Sequence, residues 1–477
     1  MRSRSGAITL LAVALSCWGV TQPMAGEPST VAPPDILFIA IDDLNDWVGH
    51  LGGNPDSRTP NLDRLAAQGV SFTNAHCVAP ACNPSRAALM SVMRPSSTGI
   101  YWNGDDSEAA LADILTLTEH FRNHGYVVAA GGKIFHQNST DQRFWDEYQE
   151  REEITPTGMP AGGFTGLNRK YFDWGALDGV RDVDMPDYKL VSWAIEKLAK
   201  PPAGRPLFLA LGIVKPHLPW YTPRHYFDLY PKEALTVPMA PNDDLDDVPP
   251  IGRQMASPAY DHLKVVEAGR WRDGIQAYLA TIRFVDDQVG RILEALARAP
   301  RGNNTVVLLW SDNGWHLGEK QHWRKFTLWE ESTRVPFIIV APGVTNPGRL
   351  NSRAVDLLAV YPTLCELAGL PLPAHLQGMS VKQLLDNPEA SWQGIALTTH
   401  GRGNHAVRSD RWRYIRYADG SEELYDHSVD PDEWQNLAGR PEYDYVKNEM
   451  GRWMPVDEVS HTPSSHRLNQ DKTELGP

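Results

Sequence analysis

Four segments of the chain are continuous apolar runs of strand length that finish in polar or charged residues. DILFIAIDD ends in Asp42 and Asp43, and YVVAAGGKIFH in Lys133 and His136. PLFLALGIVKPH ends in Lys215 and His217, and TVVLLWSDNG in Asp312 and Asn313. Runs without polar alternation suit strands covered on both faces, as in a parallel sheet between two layers of helices. The expected fold is therefore α/β, a large mostly parallel sheet flanked by helices. Ligands of such sheets gather beyond the carboxyl ends of the strands, so the four polar termini predict one shared site.

Helical patterns lie between these runs. TPNLDRLAAQG places Thr59 as N-cap, Pro60 at the first helical position and Gly69 as the stop. From Ile275 to Ala299, apolar residues recur at helical spacing through Tyr278, Leu279, Ile282, Val289, Ile292, Leu293 and Leu296. Asp286 and Asp287 within that helix read as part of its solvated face. Two regions depart from the pattern. Residues 149–187, rich in Gly, Pro and charge, read as a long insertion that could cover the site. Beyond Trp392, short alternating runs such as RWRYIRYADGSEELYD, with a turn at Ala418–Gly420, predict a smaller C-terminal antiparallel sheet. The expected organisation is an export signal at 1–26, a catalytic domain at 27–385 and a C-terminal α+β subdomain at 386–477.

Composition narrows the function. The chain has 477 residues, 42% hydrophobic and 22% charged, with a net charge of −14. That balance argues against a nucleic-acid partner, and an anionic substrate would need local positive charge to bind. Arg2 and Arg4, the short apolar run AITLLAVALSCWGV and the small residues Ala25 and Gly26 have the form of a secretory signal, too short for a membrane span. The protein is thus expected to be exported, to the periplasm or outside the cell (or to the lysosome in a eukaryote), with no membrane span. If Cys17 leaves with the signal, Cys77, Cys82 and Cys365 remain, too few for a disulfide framework.

The strand ends carry the candidate chemistry. Asp42, Asp43, Asp312 and Asn313 offer hard oxygen donors, which fit Ca²⁺ or Mg²⁺ better than zinc. One such pair alone would read as turn capping; two pairs on two apolar strands favour a metal. Lys133, His136, Lys215, His217 and Lys325 add positive charge at the same edge, suited to a tetrahedral oxyanion such as sulfate or phosphate. In APACNPSRAALM, Cys82 stands at a predicted helix start, where unpaired N–H groups favour an anion, and Arg86 follows one turn later.

Cys82-Asn83-Pro84-Ser85-Arg86 resembles the C-x-P-S-R signature of type I sulfatases, members of the alkaline phosphatase superfamily. With DDL, GKIFH, VKPHLP and SDNGWHLGEKQHWRKF in order, the chain is similar to the iduronate 2-sulfatase branch. The resemblance implies that Cys82 is oxidised to formylglycine by a formylglycine-generating enzyme. It implies one Ca²⁺ per chain, held by Asp42, Asp43, Asp312, Asn313 and the modified Cys82. Arg86 would orient the hydrated aldehyde, and Lys133 and Lys325 would bind sulfate oxygens. His217 would be the acid toward the leaving alcohol and His136 the base that follows. Lys215 would line the pocket. The implied substrate is a sulfated sugar or glycan. Trp47, Trp102, Trp220, Trp315 and Trp323 are candidate sugar-facing rings, and an acidic Asp46 at the mouth would repel a uronate carboxylate. Two other functions share part of this pattern: a phosphatase or phosphodiesterase of the same fold, and a non-catalytic sulfated-glycan binding protein with unmodified Cys82.

Overall fold

The computed structural model describes residues 32–136, 142–150, 152, 163–167, 172–257 and 260–463. The chain divides into two units, Met1–Pro33 and Pro34–Pro477, and the account below concerns the second. The expected signal segment and part of the 149–187 insertion lie outside the described residues.

All four apolar runs form strands of one eight-stranded sheet. In chain order its strands are β1 (Asp35–Asp42), β2 (Val70–Phe72), β3 (Val127–Gly132), β4 (Glu147–Gln149), β5 (Leu207–Pro216), β6 (Thr305–Ser311), β7 (Phe337–Val340) and β8 (Arg349–Asn351). Their spatial order is β8-β2-β7-β6-β1-β5-β3-β4. Strands β6, β1, β5, β3 and β4 run parallel, while β7 is antiparallel to both its neighbours. The four runs picked out by hydrophobicity are thus adjacent, and their carboxyl ends share one edge.

Every residue of β1 is buried, because both faces of the sheet are covered. Leu37, Ile39 and Ile41 pack with α1 (Pro60–Ala66), with α3 (Pro186–Ala199) and with α4 (Trp271–Arg298). Ile36, Phe38 and Ala40 face the opposite core, which contains α2 (Cys82–Ser91). A second sheet of four antiparallel strands, β9 (Ala396–Thr399), β10 (His405–Arg408), β11 (Trp412–Arg416) and β12 (Glu422–Asp426), forms where alternation predicts it. Gly420 takes φ +85° in the expected turn. No helix among the described residues is long and apolar enough to cross a membrane.

Three local expectations need correction. Asp286 is wholly buried, not on a solvated face. Its carboxylate accepts from the backbone N–H groups of Asn61 (2.9 Å) and Leu62 (2.8 Å). It therefore caps α1 from a distant helix, a role the sequence pattern assigns to Thr59. Thr59 makes no side-chain cap bond; its hydroxyl instead accepts from Gly49 N–H at 2.7 Å. Gly69 does not stop α1, which ends at Ala66. A Cβ at Gly69 would lie 2.2 Å from the Ile339 carbonyl oxygen, so glycine is required there by close packing against β7.

Removing the Asp286 carboxylate strands two buried donors at the start of α1. Asp286→Ala should lower the unfolding free energy by about 2 kcal/mol, measured by urea titration, with Asp286→Asn losing less because an amide oxygen can still accept.

Candidate active site

The carboxyl ends of β1, β3, β5 and β6 meet the first turn of α2. Cys82 is the first residue of that helix and is completely buried. Its Sγ lies 2.7 Å from Lys325 Nζ, 3.4 Å from Asp42 Oδ1 and 3.7 Å from Asp43 Oδ1. Lys133 Nζ bonds Asp42 Oδ2 at 2.7 Å, and Lys325 Nζ bonds Asp43 Oδ1 at 2.5 Å. Carboxylates and lysines from three separate sequence blocks thus gather around one sulfur atom.

Asp43 sits just past β1 with φ +61°, a conformation costly for a residue with a Cβ and common at functional sites. The surrounding bonds hold it there. Its N–H donates to Asp312 Oδ1 (3.0 Å), its carbonyl accepts from Tyr278 O–H (2.8 Å), and its Oδ1 accepts from Asn313 Nδ2 (2.8 Å). Two oxygens remain without a hydrogen-bond partner among the described residues: Asp43 Oδ2 and Asn313 Oδ1. Asp42, Asp43, Asp312 and Cys82 each bring a ligand atom within 4.8 Å of the others. Orphaned acceptors in an oxygen-rich cluster are what a hard cation requires, so the residues present fit such an ion.

Arg86, expected to orient the modified residue-82 side chain, is held among carboxylates and strand-end carbonyls. Fully buried, it donates from Nε to Asp312 Oδ2 (2.7 Å) and from Nη2 to Asp42 Oδ1 (3.2 Å). Its Nη1 donates to the carbonyls of Lys133 and Ile134. The guanidinium spans β1, β6 and the end of β3, and it organises carboxylates. Ser85 Oγ adds a 2.6 Å bond to the Asp312 carbonyl.

These contacts set the protonation states. Burial disfavours the Asp42 anion, but Lys133, His217 and Arg86 hold the carboxyl well below its usual range. Burial raises Asp312 to about 6, with repulsion from Asp42 and Asp43 opposing Arg86. Burial and the Asp42 charge push the Cys82 thiol well above its ordinary value, so the unmodified side chain is a poor nucleophile. Burial also lowers both His136 and His217. His217 Nδ1 lies 2.6 Å from the Leu218 carbonyl, and its Nε2 is 3.8 Å from Asp43 Oδ2. His136 Nδ1 is buried without a hydrogen-bond partner among the described residues, and Lys133 and Asp42 act on its charge.

Other residues read as pocket groups lie elsewhere. Lys215 Nζ donates to the carbonyls of His217 and Pro219, so it braces the loop that carries His217. Asp46 is buried and paired with Arg334 at 2.9 Å, so it does not present charge at the mouth. Trp47, Trp220, Trp315 and Trp323 are core residues; of the five tryptophans only Trp102 is partly exposed. Sequence reasoning passed over Tyr278 and Asn45, whose N–H donates to the Tyr278 hydroxyl at 3.0 Å. Tyr278 sits on the apolar stripe of α4, where nothing marks one ring as polar. Cys77, Cys82 and Cys365 are all free and buried.

Known proteins resemble this chain over most of its length. The Sulfatase family model matches residues 34–370, and the model for the C-terminal region of N-sulphoglucosamine sulphohydrolase matches residues 318–458. The chain is 40% identical over 429 residues to a sulfatase of Formosa agariphila, covering 86% of this chain and 83% of that protein. It is 30% identical over 391 residues to human iduronate 2-sulfatase, covering 72% and 70%. The solved structure of a 2-O GAG sulfatase superposes with a TM-score of 0.69 at 24% identity, covering 88% of this chain and 91% of that one. The family model over residues 34–370 and these relatives make the chain a hydrolase of the alkaline phosphatase superfamily. Within it, this chain belongs to the sulfatase family and is a sulfuric ester hydrolase.

Because Arg86 neutralises two buried carboxylates, its loss leaves both uncompensated. Arg86→Ala should cost about 3–5 kcal/mol, measured as a lowered urea midpoint, and Arg86→Lys should recover only part because an ammonium cannot span both carboxylates.

Proposed function

We propose that this protein is an exported, Ca²⁺- and formylglycine-dependent sulfatase of sulfated carbohydrate, with a 2-O-sulfated uronate of a glycosaminoglycan as its first candidate substrate. The observation that carries the reading is the charge balance around Cys82. Three carboxylates, Asp42, Asp43 and Asp312, stand against three cations, Arg86, Lys133 and Lys325, before any ion is added. A divalent cation at the orphaned Asp43 and Asn313 oxygens would make the centre positive, as an anionic ester needs. Ca²⁺ there would act as a Lewis acid toward the sulfate oxygens, and a hydrated aldehyde at residue 82 would supply the attacking hydroxyl.

The side chains have matching tasks. Lys133 and Lys325 neutralise the remaining sulfate oxygens and fix the ester against residue 82. His217 donates Nδ1–H to the Leu218 carbonyl, so it is the imidazolium, favoured by the Asp43 and Asp42 charges against burial, that holds a proton on Nε2 to pass to the leaving alcohol. His136, its charged form disfavoured by burial and Lys133, is suited to accept a proton when sulfate departs. Arg86 acts through Asp42 and Asp312 rather than on the substrate.

The relative named iduronate 2-sulfatase favours the uronate. Burial of Asp46 against Arg334 removes the like-charge repulsion that its sequence position suggests. The signal at 1–26 and the subdomain boundary at 385/386 belong to the same proposal.

Active enzyme should carry an aldehyde at residue 82 when the tryptic peptide is weighed, and Cys82→Ala should abolish sulfate release without shifting Tm. Full activity from protein whose Cys82 remains a thiol refutes the reading. Prolonged chelation should remove activity and lower Tm, with Ca²⁺ restoring both, and Asp312→Ala should abolish that restoration. On a panel of a 2-O-sulfated unsaturated uronate disaccharide, galactose sulfates and N-acetylhexosamine sulfates, the uronate should give the highest kcat/KM.

A further inference from the structure

The loop from Tyr101 to Asp105 wraps the start of α2. Asn83 Nδ2 donates to the carbonyls of Trp102 (3.2 Å) and Asp105 (2.9 Å), and the Asp105 carboxylate accepts from the Tyr101 and Trp102 N–H groups (2.7 and 2.9 Å). Asn83 N–H, next to Cys82, donates to the Asn103 side chain at 3.0 Å. A backbone N–H can only donate, so the Asn103 atom it meets is the oxygen, and the amide nitrogen is left over. That Nδ2 is buried without a hydrogen-bond partner among the described residues, on a residue only 4% exposed.

A second such atom lies on the same side. His400 follows β9 of the small sheet and is 1% exposed, and its Nδ1 also lacks a partner among the described residues. Its ring packs edge-on against Trp102 (centroids 5.0 Å apart) and lies 6.0 Å from Phe326. Phe326 directly follows Lys325, whose Nζ touches Cys82 Sγ. At the next residue, Gly401, φ is +69° and a Cβ would fall 2.8 Å from the Trp102 ring. The two walls meet too closely for any side chain there.

Buried polar atoms without partners are uncommon in folded proteins and call for a missing partner. The same condition marks Asp43 Oδ2 and Asn313 Oδ1, the oxygens that fit a cation. We propose that Trp102, Asn103 and His400 form the surface that binds the sugar carrying the scissile sulfate, with the Asn103 amide and the His400 imidazole hydrogen-bonding its hydroxyl oxygens and Trp102 covering a ring face. This rests on the reading that the Cys82 centre hydrolyses a sulfated sugar. None of the three side chains carries charge; burial keeps His400 neutral, with its pKa lowered to about 3. The anionic sulfate is served by Lys133 and Lys325. An amide, a neutral imidazole and an indole face suit the hydroxyl groups and ring face of the sugar rather than its anionic groups. The small sheet thereby contributes directly to selectivity, through His400.

The test compares full-length enzyme with His400→Phe, which keeps a ring against Trp102, and Asn103→Asp, which keeps an acceptor for Asn83 N–H. Each is assayed on 4-nitrophenyl sulfate, which has no sugar, and on the best sulfated disaccharide of the panel above. The ratio of saccharide to aryl kcat/KM should fall at least about tenfold in both variants, chiefly through a raised saccharide KM. Structural damage or added charge would lower both substrates together. A ratio within threefold of the parent in both variants overturns the inference while leaving the sulfatase reading intact. If the parent releases sulfate from neither substrate, the reading of the Cys82 centre falls and this inference with it.

Discussion

The guanidinium of Arg86 is the contact on which the functional end of the molecule depends. It bonds Asp42 at the end of β1 and Asp312 just past β6, and it reaches the carbonyls that follow β3. Three strand termini are therefore fixed to one planar group carried by α2, the helix that begins with Cys82. Two carboxylates so close and so buried would repel each other without it; burial first, and then the Asp42 charge, already raises the Asp312 carboxyl against it. Arginine suits the position because its fork satisfies several acceptors at once and keeps its charge when buried.

A second buried ionic group, Glu330, Glu433, His427, Arg408 and Arg413, anchors the small sheet. Glu330 Oε2 lies 3.2 Å from Arg408 Nε and also pairs with Arg413, while His427 Nε2 lies 2.9 Å from Glu433 Oε1. Glu330, Glu433 and His427 have the spacing of a metal site, but the two guanidinium groups already neutralise the carboxylates, so the cluster is an ionic joint. Its effect reaches the active site through the short helix Glu330–Thr333. The carbonyls of Glu331 and Ser332 accept from Trp315 (2.7 Å) and Gly314 (2.9 Å) N–H, the residues that follow Asn313. Where the small sheet docks thus helps to set where an oxygen ligand points.

Much of the site was legible along the chain. Apolar runs with charged ends located β1, β3, β5 and β6, and nothing but a parallel order could bring Asp42, Lys133, His217 and Asp312 to one edge. The start of α2 at Cys82 followed from Pro84 and the spacing around it. The two carboxylates misplaced by the sequence, Asp46 and Asp286, share a cause, because their partners are remote in the chain. Asp46 meets Arg334 and Asp286 meets the start of α1, separations of 288 and 225 residues. No local pattern distinguishes a carboxylate that will be neutralised inside the protein from one that faces water.

What the sequence alone determined is the inventory and its approximate address: which strands are buried on both faces, which of their ends carry oxygen donors and cations, and which helix begins at the cysteine. Hydrophobic periodicity and local turn chemistry act within a few residues, so they can be read from a linear string. Only the tertiary structure decided how each charge is used. It turned Arg86 toward carboxylates, placed four tryptophans in the core and left Trp102 at the surface. It also left Asp43 Oδ2, Asn313 Oδ1, Asn103 Nδ2 and His400 Nδ1 without partners among the described residues. Those outcomes depend on desolvation and on contacts between segments hundreds of residues apart, which exist only once the chain has packed.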